Sequence, residues 1–210
     1  MKLLKTLHLF VAFTLIGLVG PVPESALADA PKAAVEQLLA SITQLHHKKP
    51  LTPEQQQSND KISSQAVALM NVRLVSQKTL GKYWKARSKK EQDEFTQLLG
   101  DIFRYVAFPN SSKFFGEMEI KYAATRMDGK KSTVPITVVH EEEGEVGIDF
   151  VLEQNSRRWR VVDVILDGVS MRNNLRTQFR QVLKKKDFGA LMRTMEKRIK
   201  KAKRDNVPEK

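Results

Sequence analysis

Residues 131–166 read KSTVPITVVHEEEGEVGIDFVLEQNSRRWRVVDVIL. Apolar side chains fall here on every second position, the period of a half-buried strand. Val134, Ile136 and Val138 alternate with Thr133, Pro135 and Thr137, and Val146, Ile148, Phe150 and Leu152 follow in a third strand. Glu142-Glu143-Gly144 turns the chain between them, residues 154–157 turn it again, and Trp159 to Leu166 make a fourth strand. Upstream, Met118, Ile120 and Tyr122 alternate with Glu117, Glu119 and Lys121, and Asp128-Gly129 is a hairpin signal. Four strands joined by short turns predict an antiparallel meander. Pro135 has no backbone donor and marks an edge or a bulge near its strand.

On both sides the period is helical. Val35, Leu38, Leu39, Ile42 and Leu45 predict a helix from Pro31 to about Lys48. Thr52-Pro53-Glu54-Gln55 has a cap, a first-turn proline and a box residue, so a second helix starts there and runs to about Leu69 or beyond. Val72 to Leu80 continues helically until Gly81. Ser88 with Glu91 opens the next helix, whose Phe95, Leu98, Leu99, Ile102, Phe103 and Val106 line one face until Pro109 closes it. After the sheet, Asp167-Gly168 turns and Ser170 caps a helix with Met171, Leu175, Phe179, Val182 and Leu183 on its apolar side. A last helix spans about Asp187 to Arg204. Helices, a curved sheet and helices again make a single α+β domain over residues 29–204, followed by a basic and polar tail at 205–210.

The ends of the chain qualify its charge. The formal net charge is +12 over 210 residues, which favours nucleic acid, anionic headgroups or acidic proteins as partners. Lys2 and Lys5 precede an apolar run from Leu7 to Val19, then come Pro21, Pro23 and Ala26-Leu27-Ala28, so residues 1–28 read as a secretory signal peptide cleaved after Ala28. The run falls short of the roughly 20 residues of a bilayer span. Export makes nucleic acid a poor partner and a membrane surface or membrane protein a good one. With no cysteine, disulfides and thiol chemistry are excluded.

Reactive groups are sparse. The sequence holds no Gly-x-Ser-x-Gly elbow, no His-Glu-x-x-His zinc helix and no phosphate loop of the Gly-x-x-x-x-Gly-Lys-Ser/Thr type. His46 and His47 are adjacent, face different sides of a helix, and read as basic groups near its end. Glu141-Glu142-Glu143 reads as a solvated turn. Asp163, between Val162 and Val164 in an apolar strand, is either a general base in an acid–base enzyme or, second, a carboxylate bonded to structure or exposed on one sheet face. From Lys184 to Arg204 there are ten Lys and Arg against two Asp and Glu, the pattern of a helix that lies on anionic lipid, docks an acidic partner, or packs on a core with a solvated basic face.

Two stretches carry a family resemblance. One is Leu80-Gly81-Lys82-Tyr83-Trp84 with Lys89-Lys90-Glu91-Gln92-Asp93-Glu94-Phe95. The other is Trp159-Arg160-Val161-Val162-Asp163-Val164, running into Asp167-Gly168-Val169-Ser170-Met171-Arg172-Asn173-Asn174-Leu175-Arg176-Thr177-Gln178-Phe179. In these the chain resembles the toluene-tolerance Ttg2D/MlaC family of periplasmic phospholipid-binding proteins. It departs from the family pattern at Leu175, where an aromatic is common, and at Val106-Ala107-Phe108. Related branches of the family are dedicated to other lipids, including hopanoids.

The resemblance implies a twisted four-stranded antiparallel sheet packed on several helices in NTF2-like or cystatin-like layering, with acyl chains between the layers. It implies a carrier that is no enzyme and needs no cofactor, with phospholipid as cargo. Its partners would be an inner-membrane ABC transporter with its lipid-binding ring subunit and an outer-membrane lipoprotein complex. Candidate tail contacts are Leu99, Phe103 and Val106 on the middle helix, Ile120, Val138, Ile148, Phe150, Val162 and Val164 on the strands, and Leu175 and Phe179 beyond them. Tyr83, Trp84 and Arg176 are candidates for the pocket mouth, and Lys184, Lys185, Lys186, Arg193 and Arg198 for docking.

Overall fold

The computed structural model describes residues 24–48, 50–116, 118–140, 144–156 and 158–205. The apolar run at 7–19, the Glu141–Glu143 stretch and the last five residues lie outside the described residues. Two helices open the chain, α1 (Glu24–Thr43) and α2 (Pro53–Ala68), followed by α3 (Val72–Leu80). Pro31 lies inside α1 instead of at its start. That helix also ends before Leu45, because tertiary contacts take over the backbone. Asn59 accepts from the His46 N–H (2.9 Å) and donates to its carbonyl (2.8 Å), while the Ser112 hydroxyl donates to the Leu45 carbonyl (2.8 Å). The predicted caps form at Thr52 and Ser88, each with its full reciprocal box. Between α2 and α3 the helical period is broken at Met70. There the chain pairs with the sheet: Val161 donates to the Leu69 carbonyl and accepts from the Asn71 N–H, both at 2.9 Å.

Helix α4 (Lys89–Ile102) passes through a π-helical turn (Phe103–Ala107) into α5 (Phe108–Phe115). The sequence reading closes the helix at Pro109. In the structure Pro109 instead sits in the first turn of α5. A proline lacks the donor for the fourth residue back and its ring crowds that carbonyl. The π turn bonds Phe108 N–H to Phe103 and widens the helix where the proline enters.

The sheet has six strands, two more than the sequence reading expects: β1 (Glu119–Tyr122), β2 (Arg126–Asp128), β3 (Lys131–His140), β4 (Gly144–Asn155), β5 (Arg158–Leu166) and β6 (Val169–Ser170). The order is β1-β3-β4-β5-β6, all antiparallel, with β2 also on β3. The added strands are too short for a period. β6 is closed onto β5 by Asp167-Gly168, whose φ angles of 45° and 77° fit a tight two-residue turn. Pro135 lies on an inner strand. Its carbonyl accepts from Ala123 N–H where β1 has ended and β2 has not begun, and residues 123–125 face 134–135, three against two. The missing donor therefore falls at an irregularity, as the sequence suggests. After β6 come α6 (Met171–Lys185), capped by Ser170, and α7 (Phe188–Arg204), capped by Asp187.

One sheet face is apolar. Val134, Ile136, Val138, Ile148, Phe150 and Leu152 are buried while their alternate neighbours are not. Helix α1 lies on this face against β3 and β5, and α5 and α2 pack on α1. Helices α3, α4, α6 and α7 pack together, with α3 and α6 meeting β5. At about 1.5–3 kcal/mol for each large side chain removed from water, this face supplies much of the drive for folding.

Candidate functional site

The interior between sheet and helices is one apolar cluster. The sheet contributes Val138, Ile148 and Phe150 fully buried, with Ile120 and Val164 partly buried at its flanks. The helices contribute Leu99, Phe103 and Phe179 buried and Leu175 partly buried. Phe95, wholly inaccessible, meets Phe179 edge-to-face at 5.6 Å and Phe188 at 6.1 Å between centroids, which joins α4, α6 and α7. The structure thus brings nine of the eleven candidate tail contacts into this cluster; the two outside it are Val106 and Val162.

Each of these two is displaced by one inserted residue. By helical period Val106 follows Leu99 and Phe103 on one face. The π turn adds a residue, so Phe108 takes that place, stacked on Phe103 at 6.2 Å, and Val106 turns out to line a surface cleft. In β5 the register slips between Val151 and Leu152: Val151 faces Asp163 but Leu152 faces Val161. Val162 is the extra residue of a β-bulge, buried outside the main cluster, and Val161 takes the core position. Val35, Leu38, Leu39 and Ile42 of α1 belong to the same interior, as does Phe108. Their helical or apolar character is plain in the sequence, but nothing local says that α1 returns to the sheet.

Of the three residues proposed for the mouth, Trp84 is core, 6% exposed, with Arg73 over its ring. Tyr83 is half-buried beside Lys82 and Arg176 is exposed. Arg176 packs on Gly81: a Cβ there would lie 3.3 Å from its guanidinium, and Gly81 has φ +56°. The two stretches of sequence that carry the family resemblance therefore meet at this glycine.

Asp163 is buried and fully engaged. Its Oδ1 accepts from the N–H groups of Val164 (2.9 Å) and Arg172 (3.0 Å); its Oδ2 accepts from the Ser170 hydroxyl (2.6 Å) and faces the Arg172 guanidinium (3.4 Å). Ser170 in turn accepts from Asn173 N–H (3.0 Å). The carboxylate extends the helix cap of α6 and fastens that helix to β5 at the β6 edge. Its contacts are those of a carboxylate bonded to structure, the second of the two readings the sequence leaves open.

Lys184 and Lys185 stand in the last turn of α6, with Lys186 following; all three are exposed. Arg193 is exposed and 3.9 Å from Asp187, and Arg198 lines the cleft that holds Val106. Clefts of about 220, 350, 400 and 240 Å³ lie on the helical side, and none of these four is lined by a strand residue. Among the described residues no three acidic or histidine side chains gather as a metal site, and no helix is long and apolar enough to cross a membrane.

An antiparallel sheet with one apolar face, closed by helices over a largely apolar cluster, defines a fold built to bury apolar surface. The family model described as "MlaC protein" matches residues 32–197, and the chain belongs to the MlaC family. Its fold matches that of a phospholipid-binding protein from Ralstonia solanacearum, solved in complex with a phospholipid, with a TM-score of 0.66 at 18% identity over 83% of this chain and 97% of that one. No curated protein matches this chain.

Proposed function

We propose that this protein is a non-enzymatic carrier of phospholipid through the periplasm, which exchanges its cargo between an inner-membrane ABC transporter and an outer-membrane lipoprotein complex. The observation that carries the reading is the interface between sheet and helices. It is apolar across its middle, from Val138, Ile148 and Phe150 to Leu99 and Phe179, and its buried charge is confined to the Asp163–Arg172 tie at one edge. Family membership and the likeness to a phospholipid-binding protein support the choice of cargo.

The physical task is to shield hydrocarbon from water. At about 0.8 kcal/mol per CH₂, two chains of roughly 16 carbons represent on the order of 25 kcal/mol of apolar transfer. Such a sum needs continuous apolar walls, because a few hydrogen bonds cannot match it. Sheet and helix residues share one buried apolar cluster, so loading requires the layers to part. Parting an apolar interface exposes surface that the acyl chains then cover, and it breaks no network of buried ions. With no phosphate loop in its sequence, the chain takes the direction of transport from its partners.

Native mass spectrometry of the protein purified from its own cell envelope tests this. Co-purifying phospholipid, in a stoichiometry set by the protein, is the expected result. Protein that emerges free of lipid and takes up none from labelled phospholipid vesicles would refute the carrier reading.

A further inference from the structure

Outside the sheet–helix interior, the π turn borders a cleft of about 220 Å³ between α2, α5 and α7. Two cations meet there on one aromatic ring: the Lys203 ammonium lies 4.0 Å from the centroid of Tyr105, and the Arg104 guanidinium 5.1 Å from it. Both residues line the cleft. Their counter-charges are weak. Arg104 has a long contact to the Asp60 carbonyl (3.4 Å) and a distant one to Asp101 (3.8 Å), and its Nε is buried with no partner. Lys203 has no ion pair among the described residues. Asp60 also lines the cleft, so its lining holds two cations and one acid, with Asp101 beside Arg104 outside it. The adjoining cleft shares Asn59, Tyr105 and Pro109 with the first and adds the cations Lys113, Arg198 and Lys201 against Asp205.

A buried guanidinium donor without an acceptor is unfavourable, and like charges converging on one ring repel. An anion with several acceptor oxygens corrects both at once. A carboxylate offers two oxygens in one plane, whereas a tetrahedral oxyanion can face the planar guanidinium fork on one side and the ammonium on the other. We infer that this cleft binds a phosphate group, either free phosphate or the headgroup of an anionic lipid, at Arg104 and Lys203 across Tyr105. The site lies away from the sheet–helix interior, so it stands or falls separately from the carrier reading.

The test is calorimetric titration of the protein with inorganic phosphate at low ionic strength. Saturable binding is expected, with Lys203→Gln weakening it about tenfold, the ratio that corresponds to one charge-assisted hydrogen bond. Lys203 is exposed, so the variant folds. Lys130→Gln removes the same charge from the exposed β2–β3 turn and is expected to bind as the parent does. Vesicles of phosphatidylglycerol in phosphatidylcholine separate the two sources: competition with phosphate identifies a headgroup site, and undisturbed phosphate binding identifies a site for the free ion. Titrations that never saturate, or a loss in Lys203→Gln no greater than in Lys130→Gln, would overturn the assignment.

Discussion

Asp163 joins three parts of the molecule through four contacts: its own strand, the Ser170 cap and the Arg172 side chain. A buried carboxylate is tolerated because the donors around it are directed at it. Asp163→Asn keeps the shape but puts an amide group where an acceptor is needed. It is expected to lower stability by about 3 kcal/mol, the scale for removing one member of a buried ion pair, read as a lower urea midpoint at unchanged slope. A loss under about 1 kcal/mol would mean that the carboxylate contributes little to holding α6 on the sheet. Gly81 works at the same scale in another way: its positive φ of 56° favours glycine, while the Arg176 guanidinium at 3.3 Å from a Cβ would have only to shift slightly.

At the scale of elements, the reciprocal caps are the most local devices in the chain. Glu91 accepts from the Ser88 N–H (2.8 Å) and from its hydroxyl (3.0 Å), and these bonds hold its pKa below the ordinary 4.5. A depressed folded-state pKa stabilises above the unfolded value and is lost as pH falls through the folded one. Ser88→Ala is therefore expected to destabilise by about 1 kcal/mol at neutral pH, with the gap from the parent narrowing below pH 4.5 in urea melts repeated across pH. A gap that stays constant into acid would show that the Ser88 hydroxyl bond to the carboxylate adds nothing, since the backbone N–H bond to Glu91 is kept in both proteins. These caps were readable because Thr52-x-x-Gln55 and Ser88-x-x-Glu91 declare themselves within four residues. The long strands were readable by alternation. What escaped were insertions of one residue. The π turn and the bulge at Val162 leave composition untouched and change only phase, so Val106 and Val162 look like core in the sequence while Phe108 and Val161 take the places. The return of α1 to the sheet is a long-range pairing with no local mark.

Taken whole, the molecule sets a basic exterior around an apolar interior. Lys184, Lys185 and Lys186 stand exposed at the end of α6, and the chain carries a formal +12. If this charge guides the protein to acidic docking surfaces, association with the proposed membrane partners weakens as salt rises. At about 1 M the screening length is about 3 Å, and surface plasmon resonance is expected to show a much slower on-rate there. A rate indifferent to salt would exclude charge steering.

The short outer strands gain a further role if the layers come apart as proposed. β6 is two residues long, β2 is three, and β1 sets Glu119 and Lys121 on its exposed positions. Long bare edges invite a second chain to pair along them, and a protein that transiently uncovers its greasy inside would be the first to polymerise. Flanks of two, three and four residues offer little template, so copies that open and close as proposed would resist knitting into fibres.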